Sequence, residues 1–151
     1  MIDNIIYKLN VNPFLNGLII QAFYFGYEKK ECSILLHYII LPIILNGDIR
    51  KSLMSNNKNL SIDEFVKRNK IELINLQDNL WKSRDMTNEA LIVLHNNGQI
   101  KLASTIQINE TVNYTNYNHD MRQYLRSATY LGILLSNESI ENIYKSLNVI
   151  P

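Results

Sequence analysis

The hydrophobic positions of the chain are densest in residues 32–46, which read CSILLHYIILPIILN. Their apolar side chains point in every direction around a helix, which predicts a central core helix buried on all sides. The segment is shorter than the roughly 20 apolar residues that a membrane-spanning helix needs. Pro42 lacks an amide hydrogen, so we expect a kink or an early end at Leu41. The side chains predicted to be almost inaccessible are Leu36, Ile40 and Ile44.

The N-terminal part combines a short alternating pattern with a helical one. Residues 5–11 alternate apolar and polar side chains, which predicts an extended arm or a short strand. Asn12 followed by Pro13 indicates the N-cap and first position of a helix that ends at about Gly26. The apolar residues of this helix predict a buried stripe formed by Leu15, Leu18, Ile19, Ala22 and Phe23.

Segment 61–109 shows three helical patterns followed by two short alternating ones. Ser61 precedes an acid by three residues, the spacing of a capping box, and predicts a helix start. A longer helix is predicted over about 70–82, and a third begins at the N-cap Thr87. Gly98 is predicted to end the third helix in the left-handed conformation. The side chains that the longer helix is expected to bury are Ile71, Ile74, Leu80 and Trp81.

The two alternating runs, 99–103 and 105–109, predict a β-hairpin. Three helices followed by a hairpin have the chain order of a winged helix. Winged helices bind DNA in some proteins and bind other proteins elsewhere. A polar loop over 110–118 leads into a pair of helices within 119–147. Residues 1–151 are therefore predicted to form one mainly α domain, compact and helical, with a buried central helix and a winged-helix-like unit.

Composition and motifs argue against an enzyme. The 151 residues carry a net charge of +1 and one cysteine, so a disulfide framework is excluded and a cytoplasmic location fits. The start of the chain lacks the basic and apolar segments of a signal peptide. No common phosphate-binding, metalloprotease or nucleophile-elbow motif is present. We predict no catalytic, cofactor-binding or metal-binding residues and interpret His37 and Cys32 as core residues; a small hydrolase using either one is the least favoured alternative.

Two sets of residues are candidates for binding a macromolecule. Tyrosine is enriched at protein interfaces, and apolar side chains near a terminus are costly to leave in water. The residues predicted to contact a protein partner are Tyr114, Tyr117, Tyr144, Val149 and Ile150. Those that could contact DNA are Lys82, Arg84, Lys101, Arg122 and Arg126. Acidic residues lie between these cations along the chain, which favours a mixed solvated surface over a DNA-binding face.

An ordered set of landmarks extends over nearly the whole chain. They are, in chain order, Asn12-Pro13, Leu41-Pro42, the run TNEAL at 87–91, Gly98, a helix over 128–135, the run SIENIY at 139–144, and Pro151. Together they resemble the middle-component proteins of bacterial three-component ABC-ATPase (ABC-3C) defence systems, the group that includes Lamassu-type systems. The chain departs from this family pattern at its end, where Asn148-Val149-Ile150-Pro151 stands in place of a tail that contains arginine.

The resemblance implies a non-enzymatic subunit without catalytic residues or cofactors. It would join an SMC- or Rad50-like ABC ATPase that senses unusual DNA ends to an effector subunit, often a nuclease, and help control release of the effector. It would meet DNA mainly through the complex, and neither a membrane nor a small-molecule substrate is expected. The alternative is a free-standing winged-helix DNA-binding transcriptional regulator, which would need a dominant basic face.

Overall fold

The computed structural model describes residues 12–55 and 60–151. These residues form eight α-helices, one 3-10 helix and a three-stranded sheet, so the fold is mainly α, as predicted. The arm predicted over 5–11 lies outside the described residues. The elements are α1 (Pro13–Gly26), β1 (Glu31–Cys32), α2 (Ile34–Ile44), α3 (Gly47–Ser55), α4 (Ile62–Arg68), α5 (Leu76–Lys82), α6 (Arg84–Asn96), β2 (Ile100–Leu102), β3 (Ile106–Ile108), the 3-10 helix Tyr114–Asn116, α7 (His119–Leu135) and α8 (Ile140–Ser146).

Helix α2 is the centre of the core, as its all-round apolar pattern predicts. It contacts α1, α3, α5, α6 and α7, and the side chains of Leu36, Ile40 and Ile44 are completely buried. Ser33 caps its start, because its Oγ accepts a hydrogen bond from the backbone nitrogen of Leu35 at 3.2 Å. The prediction of a buried central helix is therefore confirmed.

The same helix does not end at Leu41 but continues to Ile44, so of the two outcomes expected from Pro42, a kink or an early end, the early end is wrong. Proline cannot donate to the carbonyl of Tyr38, yet the hydrogen-bond ladder resumes where the nitrogen of Leu45 donates to the carbonyl of Leu41 at 2.9 Å. Burial of the apolar residues after Pro42 offsets the lost bond, whose cost in a helix interior is about 3 kcal/mol.

Helices α1 and α7 form the most extensive helix pair of the fold. Two glycines face each other across it, Gly26 on α1 and Gly132 on α7, and a Cβ at either one would run into backbone of the opposite helix. Thr129 donates from its Oγ1 to the carbonyl of Ala22 at 2.8 Å, which ties the two backbones together. The absence of side chains at the two glycines lets the helices approach this closely.

The start of α1 and most of its buried stripe agree with the prediction. Asn12 is the N-cap, with its Oδ1 accepting from the nitrogens of Phe14 and Leu15, and Pro13 is the first helical residue. Within the stripe the fully buried side chains are Ile19, Ala22 and Phe23, whereas Leu15 and Leu18 are half-buried.

The helix predicted over about 70–82 is wrong in its length and in its buried face. Residues 69–75 form a series of turns, and α5 begins only at Leu76. The buried side chains are Leu73, Leu76 and Leu80. Three of the four predicted core residues, Ile71, Ile74 and Trp81, point to solvent; only Leu80 is buried as expected.

The predicted N-cap Thr87 lies inside α6, one turn after its start. The helix begins at Arg84 behind the N-cap residue Ser83, and Thr87 is fully buried. The two helices α5 and α6 are joined by Ser83 alone, whose backbone lies in the αR region at φ −92° and ψ −1°. The end of α6 is as predicted, with Gly98 in the left-handed conformation at φ 72°.

The predicted hairpin is confirmed and belongs to a larger sheet. Strands β2 and β3 pair antiparallel, with Ile100 opposite Ile108. The short strand β1, which the sequence analysis did not predict, pairs with the other side of β3. The hairpin after α6 is thus continued by residues that precede α2.

The predicted C-terminal helix pair corresponds to α7 and α8. The face predicted for α7 is buried at Leu125, Ala128, Leu131 and Leu135. Among the described residues, no helix combines the length and the apolar content needed to cross a membrane.

Candidate protein-interaction site

The three most exposed large apolar side chains of the described residues, Ile71, Ile74 and Ile150, lie around α5. They expose 78, 73 and 64% of their surface, and Trp81 at the end of α5 exposes 51%. Ile71 and Ile74 lie in the turns that precede α5, and Trp81 lies near the end of α5; all three side chains are exposed. We call these four residues the Trp81 surface.

The side chain of Gln77 on α5 binds the backbone of Ile150 and thereby holds the C-terminal tail beside α5. The side-chain amide of Gln77 donates to the carbonyl of Ile150 at 3.0 Å, and its Oε1 accepts from the nitrogen of Ile150 at 2.7 Å. Gln77 lies on α5, one turn before Trp81. The tail is therefore held in place by two hydrogen bonds, with the side chain of Ile150 left in solvent.

Two of the predicted interface residues are internal, which corrects their expected role. Tyr144 is 5% exposed, and its hydroxyl donates to the carbonyl of Leu35 at 2.7 Å. Val149 is also buried, and its nitrogen donates to the carbonyl of Tyr144 at 3.1 Å, after Asn148 has turned the chain at φ 56°. Both side chains pack α8 and the tail against the core, so they do not offer free surface to a partner.

Tyr114 and Tyr117 border the 3-10 helix and are half-buried against the core. Arg122 on α7 holds this loop: its Nε and Nη2 donate to the carbonyl of Tyr117 at 3.2 and 2.9 Å, and Nη2 also donates to that of Thr115 at 3.2 Å. The segment predicted as a polar loop is thus held in place by Arg122 and carries two partly accessible tyrosines.

Of the five cations considered for DNA contact, Arg122 and Arg126 already bind groups of the chain itself, and Arg84 and Lys101 lie near opposite ends of α6. Arg126 donates from Nε and Nη2 to the hydroxyl of Tyr130 at 3.2 Å, and Arg122 holds the loop. Arg84 begins α6, while Lys101 follows its end on β2. A helix of 13 residues is about 20 Å long, so these two ends are far apart on the surface.

Arg84 stands at the junction between α5 and α6, three residues after Trp81. Its guanidinium carbon lies 5.0 Å from the centroid of the Tyr38 ring, and the Tyr38 hydroxyl donates to Oδ1 of Asn88 at 2.7 Å. Its Nε is buried and has no hydrogen-bond partner among the described residues. Burial raises the pKa of the Tyr144 hydroxyl to about 12, and the positive charge of Arg84 lowers it by a smaller amount.

The two residues considered for catalysis, His37 and Cys32, meet in the core with Tyr24 between them. Nδ1 of His37 lies 3.0 Å from the carbonyl of Ser33 and therefore carries its proton, because a carbonyl only accepts. Nε2 then accepts from the hydroxyl of Tyr24 at 2.7 Å, and the Cys32 sulfur is 3.7 Å from that hydroxyl. The imidazole has no free nitrogen for a substrate or for the thiol.

Burial moves the titration of this cluster away from neutral pH. It lowers the pKa of His37 from 6.5 to about 4 and raises that of Cys32 to about 11, while the pKa of Tyr24 is raised far above its ordinary value. At pH 7 the imidazole is neutral and the thiol protonated, which is the unreactive form of cysteine. Among the described residues no three His, Cys, Asp or Glu side chains form a possible metal site.

Sequence reasoning missed the Trp81 surface because segment 70–82 contains two apolar patterns. One is Ile71, Ile74 and Trp81, and the other is Leu73, Leu76 and Leu80. The second has the spacing i, i+3, i+7 of a helix face and is the one that is buried. On a continuous helix the two sets would lie on opposite sides, so a segment that packs on the core with one side can bury only one set.

Comparison of the sequence with protein families gives a match that agrees with the resemblance noted from the sequence. The family described as ABC-three component (ABC-3C) system Middle Component 3 matches residues 2–151. Comparisons with curated proteins and with solved structures gave no match. Since the matched region is nearly the entire chain, this protein belongs to the family of Middle Component 3 proteins of ABC-three component systems.

Proposed function

We propose that this chain is a non-enzymatic middle subunit that bridges an SMC- or Rad50-like ABC ATPase and an effector subunit, often a nuclease. In this role it helps control release of the effector when the complex senses foreign DNA in the cytoplasm. Membership in a family of system components implies partner subunits. The observation that carries the proposal is the Trp81 surface, where four large apolar side chains are exposed in and around α5, because extended exposed apolar patches are typical of sites that bind another protein.

The composition of this surface favours a protein over a nucleic acid. Tryptophan is the residue type most enriched among side chains that dominate binding energy at interfaces. The phosphate backbone of DNA is instead bound by arrays of Lys and Arg, and a chain with net charge +1 and dispersed cations offers few such contacts. The partly accessible Tyr114 and Tyr117 remain a second candidate contact with a partner.

The core cluster supports a role without catalysis. A Cys–His nucleophile needs the imidazole within hydrogen-bond reach of the sulfur. Here the Tyr24 hydroxyl occupies Nε2 of His37, and the Ser33 carbonyl occupies Nδ1. Tyr24, Cys32 and His37 connect α1, β1 and α2 and thus form a structural hydrogen-bond network.

A winged-helix DNA-binding regulator is the second candidate, favoured by the hairpin that follows α6. The winged-helix-like unit would then include α1, β1 and α2 as well as 61–109, because β3 pairs with β1 and α6 packs on α1. Lys101 on β2 would be the cation of the wing. The spread of the other cations disfavours this function.

The test is reconstitution with the ATPase and effector encoded beside this chain. The variant Trp81→Ala should weaken binding to at least one of them tenfold or more, as expected for an aromatic side chain at the centre of an interface. Ile92→Ala is the matched control, because Ile92 on α6 is 53% exposed and lies outside the Trp81 surface. It should bind as the wild type does.

Two results would overturn the proposal. The first is that the wild-type chain binds neither component. The second is that the isolated chain binds a specific duplex DNA at nanomolar concentration in physiological salt, which is the behaviour of a sequence-specific regulator.

A further inference from the structure

Arg84 is a half-buried cation whose hydrogen-bonding capacity the described part of the chain leaves unused. Its Nε is buried without an acceptor, and no described residue accepts a hydrogen bond from its terminal nitrogens. Nη1 and Nη2 are not among the buried unpaired atoms of the described residues, and the Arg84 side chain as a whole is half-buried.

The position of the guanidinium is well determined by its neighbours. The Tyr38 ring lies under it at 5.0 Å, and that ring is fixed in turn by the hydrogen bond of its hydroxyl to Asn88. Stacking on an aromatic ring removes much of the rotational freedom of a long side chain before any ligand arrives. The two outer nitrogens therefore form a prearranged fork at the surface.

This fork stands beside the Trp81 surface. Arg84 follows Trp81 by three residues, with Ser83 between their helices. The charge of Arg84 lowers the pKa of Tyr144, so the two residues lie near each other. The carbonyl of Tyr144 accepts a hydrogen bond from the nitrogen of Val149, in the tail that carries Ile150. The exposed charges nearest in sequence are Lys82 and Asp85. Exposed apolar side chains with charged residues at their border resemble a protein interface, which has an apolar centre and a polar rim.

We propose that Arg84 binds a carboxylate of the partner subunit that covers the Trp81 surface. The occupant is thus a partner segment with apolar side chains for Ile71, Ile74 and Trp81 and an Asp or Glu at its edge. A carboxylate matches the planar fork with two parallel hydrogen bonds, whereas the compact ammonium of lysine cannot form this pair. The inference rests on the proposed function and specifies the chemistry of its partner.

The experiment measures the affinity of the full-length chain for the isolated ATPase and effector components by titration calorimetry. Arg84→Gln should weaken binding to the component that Trp81→Ala also affects by at least tenfold, and Arg84→Lys should recover only part of this loss. Lys82→Gln, the neighbouring exposed cation, is the matched control and should change the affinity less than threefold. Urea melts of each variant check that the fold is retained.

A scan of the partner keeps the test valid even if an Arg84 variant is unstable. One Asp→Asn or Glu→Gln substitution in the partner should weaken binding as much as Arg84→Gln, and the two changes combined should cost little more than either alone. Absence of any such partner position, or an Arg84→Gln affinity within twofold of a wild-type complex that does form, would overturn the inference while leaving the proposed function intact.

Two further outcomes have distinct meanings. If wild type binds neither component, both the proposed function and this inference fail. If a 20-base-pair duplex DNA displaces the partner and Arg84→Gln abolishes DNA binding, the acceptor is a phosphate, and the carboxylate proposal is refuted.

Discussion

The close approach of α1 and α7 makes a sharp prediction for Gly132→Ala. A Cβ at position 132 would lie 2.8 Å from the nitrogen of Tyr27 and closer still to the carbonyl oxygen of Phe23. Both atoms belong to the backbone of α1 or its C-cap, so no side-chain rotation can relieve the overlap. The two helices would have to separate along their whole contact.

The expected magnitude follows from two opposing effects. Overpacking costs about 1–3 kcal/mol and sometimes more, and a clash with backbone lies at the upper end. Alanine in a helix interior recovers about 1 kcal/mol relative to glycine. We therefore expect Gly132→Ala to lower the free energy of unfolding by about 2 kcal/mol or more. For a chain of this length that corresponds to a fall in Tm of about 4–8 °C.

Two other glycines separate this steric effect from the backbone effect. Gly47, in the first turn of α3, has only a nitrogen of Arg50 near its virtual Cβ, at 3.6 Å, so Gly47→Ala should leave stability unchanged or raise it by up to about 1 kcal/mol. Gly98 has open space around it but a φ of 72°, so Gly98→Ala should cost about 1–2 kcal/mol from conformation alone.

Urea unfolding followed by far-UV circular dichroism gives the three free energies on one scale. The order of stability should be Gly47→Ala, then Gly98→Ala, then Gly132→Ala. If Gly132→Ala unfolds within about 0.5 kcal/mol of Gly47→Ala, backbone contact between α1 and α7 is refuted.

Two further predictions concern the core. Because burial lowers the pKa of His37 to about 4, the unfolded chain takes up a proton before the folded one as pH falls; this contribution is complete above about pH 6.5 and should decline toward pH 4 by about 3 kcal/mol at most. His37→Gln should flatten this slope in urea melts at pH 7, 6 and 5, and an unchanged slope would contradict the assignment. Leu36→Ala should lower the free energy of unfolding by about 2–5 kcal/mol, whereas Ile34→Ala, on an exposed position of the same helix, should cost less than half as much; equal losses would show that α2 is not central.

The parts of the fold that sequence reasoning predicted are those with strong local signals. Asn12-Pro13 starts α1 because side-chain capping and the fixed φ of proline act within one turn. Gly98 ends α6 because it supplies the left-handed residue. The continuous apolar run of α2 allows only a buried position in a chain of this size.

The errors arise where tertiary contacts decide. Strand β1 has two residues and exists only because β3 lies beside it, so no local pattern could indicate it. Tyr144 was expected at the surface since its helix is short and near the terminus. The Leu35 carbonyl that accepts its hydroxyl lies 109 residues away in sequence, and only the folded chain shows this partner.

Tertiary contacts also decide the environment of two candidate site residues, Ile150 and Arg84. Of the residues predicted for a protein interface, Ile150 is exposed, but the reason lies in Gln77, whose amide holds the tail backbone and leaves the side chain outside. Arg84 was considered for DNA by its charge alone. Its distinguishing feature, a guanidinium stacked on Tyr38 whose buried Nε has no hydrogen-bond partner among the described residues, depends on how α6 meets α2.

The two apolar patterns of segment 70–82 connect the error to the function. A segment this short can bury one face against its own core, and Leu73, Leu76 and Leu80 already occupy that face. The second set, Ile71, Ile74 and Trp81, adds nothing to the packing of the isolated chain and costs free energy in water. A sequence that carries more apolar surface than its own fold can cover is consistent with a subunit whose burial is completed by a partner. The helix predicted for this segment therefore combined two apolar sets, and only Leu73, Leu76 and Leu80 pack in the core of this chain.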